Sequence, residues 1–513
     1  MEILDRPHHI QERNGPAFWV DEAIWGHRLH DEQSPWLIVL EFLNVLLAEN
    51  NAGRLLSENG FNTLSYKPQI QLRLRNLVFN NPYIVTKLAQ KTGDETAWND
   101  WLVCMNETAG GLTKPDFSYL RQNFDSFKDF ASVINFLQKS AIEGTSNKRW
   151  SSKFVFPFGP HALYEDLNIK QNGTLTNDRR FFARTGEILY LMLCRSRQVD
   201  KLRTLLDEHF IQASSPYDSM AHALQGETQY ANSEHGGAFL PCSSHPVFDK
   251  IAEDWISILS CPVPTYDKIP HLVTMTGLNL LLYLLYRAQE VLGVDRVRLI
   301  CEIVSPRKTV IRDLSGDSYQ HNNLLPQQAI RHFINQITHT PAWVTAMAAP
   351  DPRLSVADLL HKTFDWAEDN EEDHITSPHR LVLQLEERAI IRHRQHVGKI
   401  HAAWSRAIGL SSRRSSRRTR YAPNDRLLKT LVVCCVKKRM EFREFLAYLH
   451  MRYGLVIGDA QAHDIIAKGD ADQEDFSNNA QRLEDRLASL GLLKRLSDSC
   501  AYVENPFQRD QDA

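Results

Sequence analysis

The sequence of 513 residues lacks the signals of several large protein classes. It has eight cysteines, Cys104, Cys194, Cys242, Cys261, Cys301, Cys434, Cys435 and Cys500, and no two of them form a C-x-x-C pair. Scattered cysteines in a chain this long argue against a disulfide scaffold and predict buried, reduced thiols. No G-x-x-x-x-G-K-[ST] stretch occurs, which argues against nucleotide hydrolysis by a P-loop. The longest strongly apolar segment, Leu278 to Tyr286, is about half of the ~20 residues that span a bilayer. The opening residues Met1-Glu-Ile-Leu-Asp-Arg6 carry neither the basic nor the apolar region of a secretory signal. The expected location is therefore the cytoplasm, with no membrane partner. No internal repeat of fixed period is present.

The composition, 43% hydrophobic and 24% charged, is that of an ordinary globular protein. Its net charge of −3 conceals an asymmetry. Residues 376–513 hold 24 Lys and Arg against 17 Asp and Glu, a net of +7, and residues 1–375 carry a net of −10. An acidic body with a basic tail predicts that any polyanion is held by the C-terminal part.

Apolar spacing predicts a mainly α-helical, multidomain chain with a little β structure. Ser34-Pro35 is a helix start, followed by Trp36, Leu40, Leu43 and Leu47 on one face. Phe117 to Ile142 reads as one long helix, and Phe181 to Phe210 is again helical. Leu278 to Val291 is apolar nearly all round and is expected to be a central buried helix. Arg296 to Val304 alternates as a strand, ended by Ser305-Pro306. Ser214 to Pro264 is rich in turn formers and predicts a long irregular loop. The aromatic, turn-rich connector between Trp150 and Pro160 and the acidic run Asp365 to Asp373 suggest boundaries. The expected regions are a helical N-terminal part (1–150) and a central, mainly helical domain (151–364). An acidic linker, basic helix and arginine-rich loop (365–422) and a winged-helix domain (423–507) follow.

Within the third region, Pro378 to Ile408 predicts a long helix with Arg380, Arg388, Arg392, Arg394, Lys399 and Arg406 on a cationic face. The loop after it, Ser411 to Arg420, has five arginines and no apolar side chain, so it cannot bury a face of its own. In the last region Asn424 caps a helix carrying Leu427, Leu428, Leu431, Val432 and Cys435. A second helix carries Phe442, Phe445, Leu446 and Leu449. A third buries Ala480, Leu483, Leu487 and Leu490, and a hairpin follows across Ser497-Asp498-Ser499. Three helices and a hairpin are the winged-helix order, in which the last helix can enter a major groove. On that helix Asn478, Asn479, Gln481, Arg482 and Arg486 are expected to face outward, where Asn and Gln can pair with adenine and Arg with guanine. Glu484 and Asp485 on the same helix would repel phosphates, which leaves a protein-binding winged helix as the alternative. Arg413, Arg414, Arg417, Arg418 and Arg420 suit sequence-independent phosphate contacts; a solubilising linker is the alternative for the loop.

Catalytic candidates are sparse. Cys242-Ser-Ser-His245, with His235 upstream, pairs a thiol with possible bases, but offers too few groups for a four-ligand zinc site. A buried cysteine with exposed loop histidines explains the same residues. Glu302 with Asp295 and Lys308 is similar to the carboxylate–strand–lysine arrangement of metal-dependent nucleases, although the lysine lies six residues beyond the glutamate and Pro306 interrupts the strand. The aromatic group Phe18, Trp19, Trp25 and Trp36 reads as core. No cofactor or metal site is predicted.

Four stretches carry a resemblance: Asn424-Asp-Arg-Leu-Leu-Lys-Thr-Leu-Val, Glu444-Phe-Leu-Ala-Tyr-Leu, Asn479-Ala-Gln-Arg-Leu-Glu-Asp-Arg-Leu-Ala-Ser-Leu-Gly-Leu-Leu, and Phe182-Ala-Arg-Thr-Gly-Glu-Ile-Leu-Tyr-Leu-Met-Leu. The chain resembles accessory proteins of bacterial anti-phage defence islands, in Druantia-like or methylation-associated systems, over about a third of its length. The resemblance implies a subunit acting beside a helicase, nuclease or methyltransferase and assigns no functional residue. The expectation is a non-enzymatic accessory subunit that binds duplex DNA through its C-terminal region and partner proteins through its acidic body. A metal-dependent nuclease component and a protein-binding scaffold are the alternatives.

Overall fold

The computed structural model describes residues 19–27, 29–57, 69–70, 77, 81, 83–90, 93–108, 116–140, 159–161, 167–169, 175–177, 184–213, 215–224, 229–230, 238–294, 297–305, 309–366, 377–413, 418–497 and 500–507. Most of the connector between Trp150 and Pro160, Phe18, His235, Asp295, Lys308, Arg414, Arg417 and the acidic run beyond Trp366 lie outside them. The described residues are mainly α-helical with a few short strands. Helices begin repeatedly on the same local chemistry, a proline whose φ is already set behind a residue that can accept a backbone N–H. Thr340, Asp351 and Ser377 each cap a helix opened by proline. Two such starts, Pro216–Ala223 and Pro246–Leu259, fall inside the segment expected to be an irregular loop.

The chain divides into two compact units. One comprises residues 36–194 and 203–237. Its helix Pro35–Asn51 buries Ile38, Val39, Leu40, Phe42, Leu43, Val45 and Leu46, nearly all its sides and not the single expected face. The Glu41 carboxylate on it accepts the backbone N–H of Gly186 (2.7 Å) and of Arg184 (3.2 Å). A buried anion thereby meets the electropositive start of helix Thr185–Cys194. Gly186 permits this approach, because a Cβ there would lie 2.6 Å from the Glu41 Cβ. The helix expected over Phe117 to Ile142 is two, Tyr119–Asn123 and Phe127–Ser140. Ser126 starts the second, its hydroxyl accepting the Asp129 N–H. Phe130 packs there against Trp98 and Trp101.

The other unit comprises residues 1–35, 195–202 and 238–513. Its first helices are α1 (Trp19–Trp25), α2 (Pro246–Leu259) and α3 (Thr265–Leu292). By length and composition α3 could cross a membrane, but 83% of its most apolar window is buried inside the protein, as in a core helix. Trp25 donates its indole N–H to the Leu284 carbonyl of α3 (2.9 Å), so this aromatic is core. The strand β1 is short, Leu299–Ile300, and precedes α4 (Val310–Asn335). The expected basic helix is broken at His396 into α5 (Pro378–Gln395) and α6 (Val397–Ala407). The arginine loop is closed at its feet by β2 (Ser411–Ser412) and β3 (Arg420–Tyr421), an antiparallel pair.

Next come α7 (Asp425–Cys435), β4 (Met440–Glu441), α8 (Phe442–Tyr453), β5 (Leu455–Val456), α9 (Gln473–Ser489) and the hairpin β6 (Leu493–Ser497) with β7 (Cys500–Val503). Strand β4 completes a three-stranded antiparallel sheet in the order β6-β7-β4. β5 pairs in parallel with β1, and Ile311 of α4 joins Val456, Ala462, Ile465, Ala471 and Phe476 in one apolar cluster. The C-terminal elements thus share a core with the central helices.

Candidate nucleic-acid interface

The loop expected to grip phosphates is rigid at its base. Tyr421 of β3 is buried; its carbonyl accepts the Glu302 N–H (3.0 Å) and the Ser315 hydroxyl (2.8 Å). Its phenol lies 2.7 Å from His401 Nε2. Arg413 and Arg418 are exposed at the two feet, and the Arg418 guanidinium pairs with Asp317. Arg420 departs from expectation. The register Ser412↔Arg420 turns it inward, where it is buried and donates to the Glu302 carboxylate.

Glu302 is fully buried and its other oxygen accepts Arg312 Nε at 2.8 Å. Arg312 also donates to the Ser305 carbonyl. One carboxylate between two guanidinium groups is already neutralised, and a divalent cation would have to displace both. Glu302 is therefore engaged in the fold, and Asp295 and Lys308, which the nuclease reading also used, lie outside the described residues. The strand that was to carry Glu302 is also shorter than expected, Leu299–Ile300.

The Cys242 cluster is likewise structural. Cys242 is buried, and burial pushes its thiol upward, away from a nucleophilic thiolate. His245 is not the exposed loop histidine expected; it is buried and caps α2, with Nδ1 accepting the Val247 N–H at 3.1 Å. That bond leaves the proton on Nε2, 3.2 Å from Glu290 Oε1. None of the eight cysteines forms a disulfide, and five are buried.

On α9 the apolar stripe is Phe476, Asn479, Leu483 and Leu487. Asn479, expected outward, is fully buried: its oxygen accepts the Ile303 N–H (2.8 Å), and its amide donates to the carbonyls of Cys301 (3.0 Å) and Ile457 (2.9 Å). It stitches α9 to the backbone on both sides of the β1–β5 pair and has nothing left for a base. Arg486 is spent on Asp425 (2.6 Å) and the Pro423 carbonyl (3.3 Å), at the start of α7. Glu484 pairs with Arg495 of β6. The exposed residues of α9 and its approach include Asp472, Glu474, Asn478, Gln481 and Asp485, with Arg482 half-buried among them. That surface is more acidic than basic and would meet phosphates unfavourably.

Cationic side chains gather instead around the small sheet. Lys437, Lys438 and Arg439 are exposed in the turn into β4, Arg443 in the first turn of α8, and Lys494 and Arg495 on β6. Tyr502 of β7 stands opposite Lys494 on one side and Glu441 on the other. The Arg439 guanidinium lies 4.1 Å from the Tyr502 ring centre, a cation–π stack. Sequence reasoning passed over these residues, although the Lys437-Lys438-Arg439 run and the Lys494-Arg495 pair were visible in it.

The comparisons bear on this same part of the chain. Residues 379–505 match the family model of methylation-associated defense system protein MAD7. The match covers about a quarter of the chain, from the start of α5 to just past β7. It includes the arginine loop, Asn479 and the basic sheet, and it supports a component of an antiviral defence system. The similar stretch Phe182 to Leu193 lies outside the match. No curated protein and no solved structure matches the chain.

Proposed function

We propose that this protein is a non-enzymatic subunit of a methylation-associated defence system that holds duplex DNA by its phosphates. Residues 423–507 act as a winged-helix module, with α7, α8 and α9 as its helices and β6–β7 as its wing. The observation that supports DNA most strongly is the group of exposed cations around the β6-β7-β4 sheet: Lys437, Lys438, Arg443 and Lys494. Arg413, Arg414 and Arg417 of the loop add phosphate contacts, Arg418 does so when it leaves Asp317, and Arg482 is the one cation on α9 left to approach a groove. Asn479, Arg420 and Arg486 act in the fold. Contacts of this kind give affinity with little sequence reading.

The acidic surface of α9 favours a second role, docking a basic face of a partner protein of the same system. The two roles separate in one experiment on the full chain. Replacing Lys437, Lys438, Arg443 and Lys494 together with alanine weakens duplex binding at low salt and leaves partner co-purification intact. Replacing Glu474 and Asp485 with lysine does the reverse. Wild-type protein that retains partners but binds no duplex is a scaffold, and the DNA reading fails.

A further inference from the structure

We propose that His30, Asp31 and His396 form a site for a divalent transition-metal ion, with Zn²⁺ the best fit. His396 sits at the break between α5 and α6, with φ −134° and ψ −69°, so its side chain leaves the buried stripe of α5. Its Nδ1 lies 3.1 Å from Asp31 Oδ1. The Nδ1 of His30 lies 3.7 Å from the same oxygen. One potential ligand atom from each of the three residues falls within 4.8 Å of the others. A tetrahedral ion with Zn–N of ~2.0–2.1 Å and Zn–O of ~2.0–2.2 Å keeps its ligand atoms roughly 3.3–3.5 Å apart. The two measured separations straddle that value, so small side-chain rotations complete the set.

The two imidazole rings stack with centres 3.8 Å apart and converge on one carboxylate oxygen. A divalent ion placed there takes both rings and the carboxylate as ligands together. The Glu32 N–H reaches His30 Nδ1 at 3.3 Å, a long bond that the ion displaces unless His30 turns to bind through Nε2.

The frame is already fixed on both sides. Beside the site, buried His393 of α5 binds Asp21 (2.9 Å), and Trp404 of α6 donates to the Gln33 carbonyl (3.0 Å). These contacts hold Asp21 and Gln33, on either side of His30 and Asp31, against α5 and α6 without the ion, so little ordering cost remains for binding. The side chains of His30, Asp31 and His396 are 17%, 13% and 34% exposed, which leaves an entry path. Two imidazoles and one carboxylate suit Zn²⁺, Fe²⁺ or Co²⁺ over Mg²⁺ or Ca²⁺. Three protein ligands leave at least one position for water or for an atom of a substrate.

The test uses the full chain, stripped with a chelator and titrated with Zn²⁺ alone at pH 7.5 by calorimetry, with Co²⁺ visible absorption as a second probe. One equivalent binds with a micromolar or lower Kd, and saturating Zn²⁺ raises the melting midpoint. Asp31→Asn and His396→Gln each weaken that site at least 50-fold, while circular dichroism and the chelated melting midpoint stay near wild type. His30→Gln provides a third variant should either of these misfold. Failure of wild-type protein to bind one equivalent overturns the site. So does binding of undiminished affinity in the folded variants, since the ion would then sit on other histidines or cysteines.

Discussion

Asn478 and Asn479 are neighbours of identical chemistry in opposite environments, and their alanine variants should behave oppositely. Asn479→Ala removes an amide that satisfies the Ile303 N–H and the carbonyls of Cys301 and Ile457. Each buried polar group left without a partner costs ~1–3 kcal/mol, and water or small shifts recover part of it. The expected loss is on the order of 3–5 kcal/mol, less than the sum of three full penalties. Asn478 is exposed, so Asn478→Ala should change stability by less than ~0.5 kcal/mol. Urea unfolding of the full chain, followed by tryptophan fluorescence, reads the difference as a lower midpoint for Asn479→Ala only. Duplex affinity measured well below that midpoint should be unchanged by Asn479→Ala. An Asn479→Ala protein as stable as wild type but weaker on DNA would refute the reasoning, because the amide would then be reading bases.

Arg420→Ala leaves buried Glu302 with Arg312 alone and should lower stability by about 3 kcal/mol, while Arg413→Ala lowers only duplex affinity; paired urea and anisotropy titrations check both. His401 is buried, and burial pushes its pKa down to about 3 from the usual 6.5. Below pH 6.5 the unfolded chain takes up a proton that the folded one refuses, so stability is full above pH 6.5 and declines toward pH 3. His401→Gln should make that decline shallower in unfolding midpoints measured from pH 7.5 to 4.5. Wild type and Glu302→Gln should both leave plasmid DNA in Mg²⁺ or Mn²⁺ untouched; cleavage by wild type that this variant abolishes would restore the nuclease reading.

Helices were legible in α3, α7 and α8, where apolar residues recur on a helical spacing, but not in α2, whose equally regular Phe248, Ile251, Ala252 and Trp255 are hidden among the turn formers around it. Polar residues that complete an apolar stripe were not legible either. On α9 the reading took Ala480, Leu483, Leu487 and Leu490, whereas the packed stripe runs Phe476, Asn479, Leu483, Leu487, one step earlier. Asparagine in that slot looks outward by type alone, and only the backbone groups of residues 301, 303 and 457 that its amide pairs with reveal why it is inside. Arg420 was hidden for a similar reason. It belongs to an arginine run by composition, but the short register with Ser412 inverts its direction and Glu302, more than a hundred residues away, receives it. The break at His396 was also unseen, because helical periodicity continues through Ile400 and Trp404 on the far side. Of the residues expected to face a nucleic acid, Asn479 and Arg420 are therefore buried and Arg486 is paired with Asp425.

The central claim, phosphate binding by the basic sheet, is tested most directly by the salt dependence of duplex affinity. Fluorescence anisotropy of a labelled duplex with the full chain, from low to moderate salt, gives log affinity against log salt. Each neutralised phosphate contributes ~0.9 to the slope. Wild type should fall steeply, and the variant with alanine at Lys437, Lys438, Arg443 and Lys494 should be weaker on every sequence, with a slope reduced by up to ~3.6 for four lost contacts. An unchanged slope in that variant, or no duplex binding by wild type at low salt, would contradict the account.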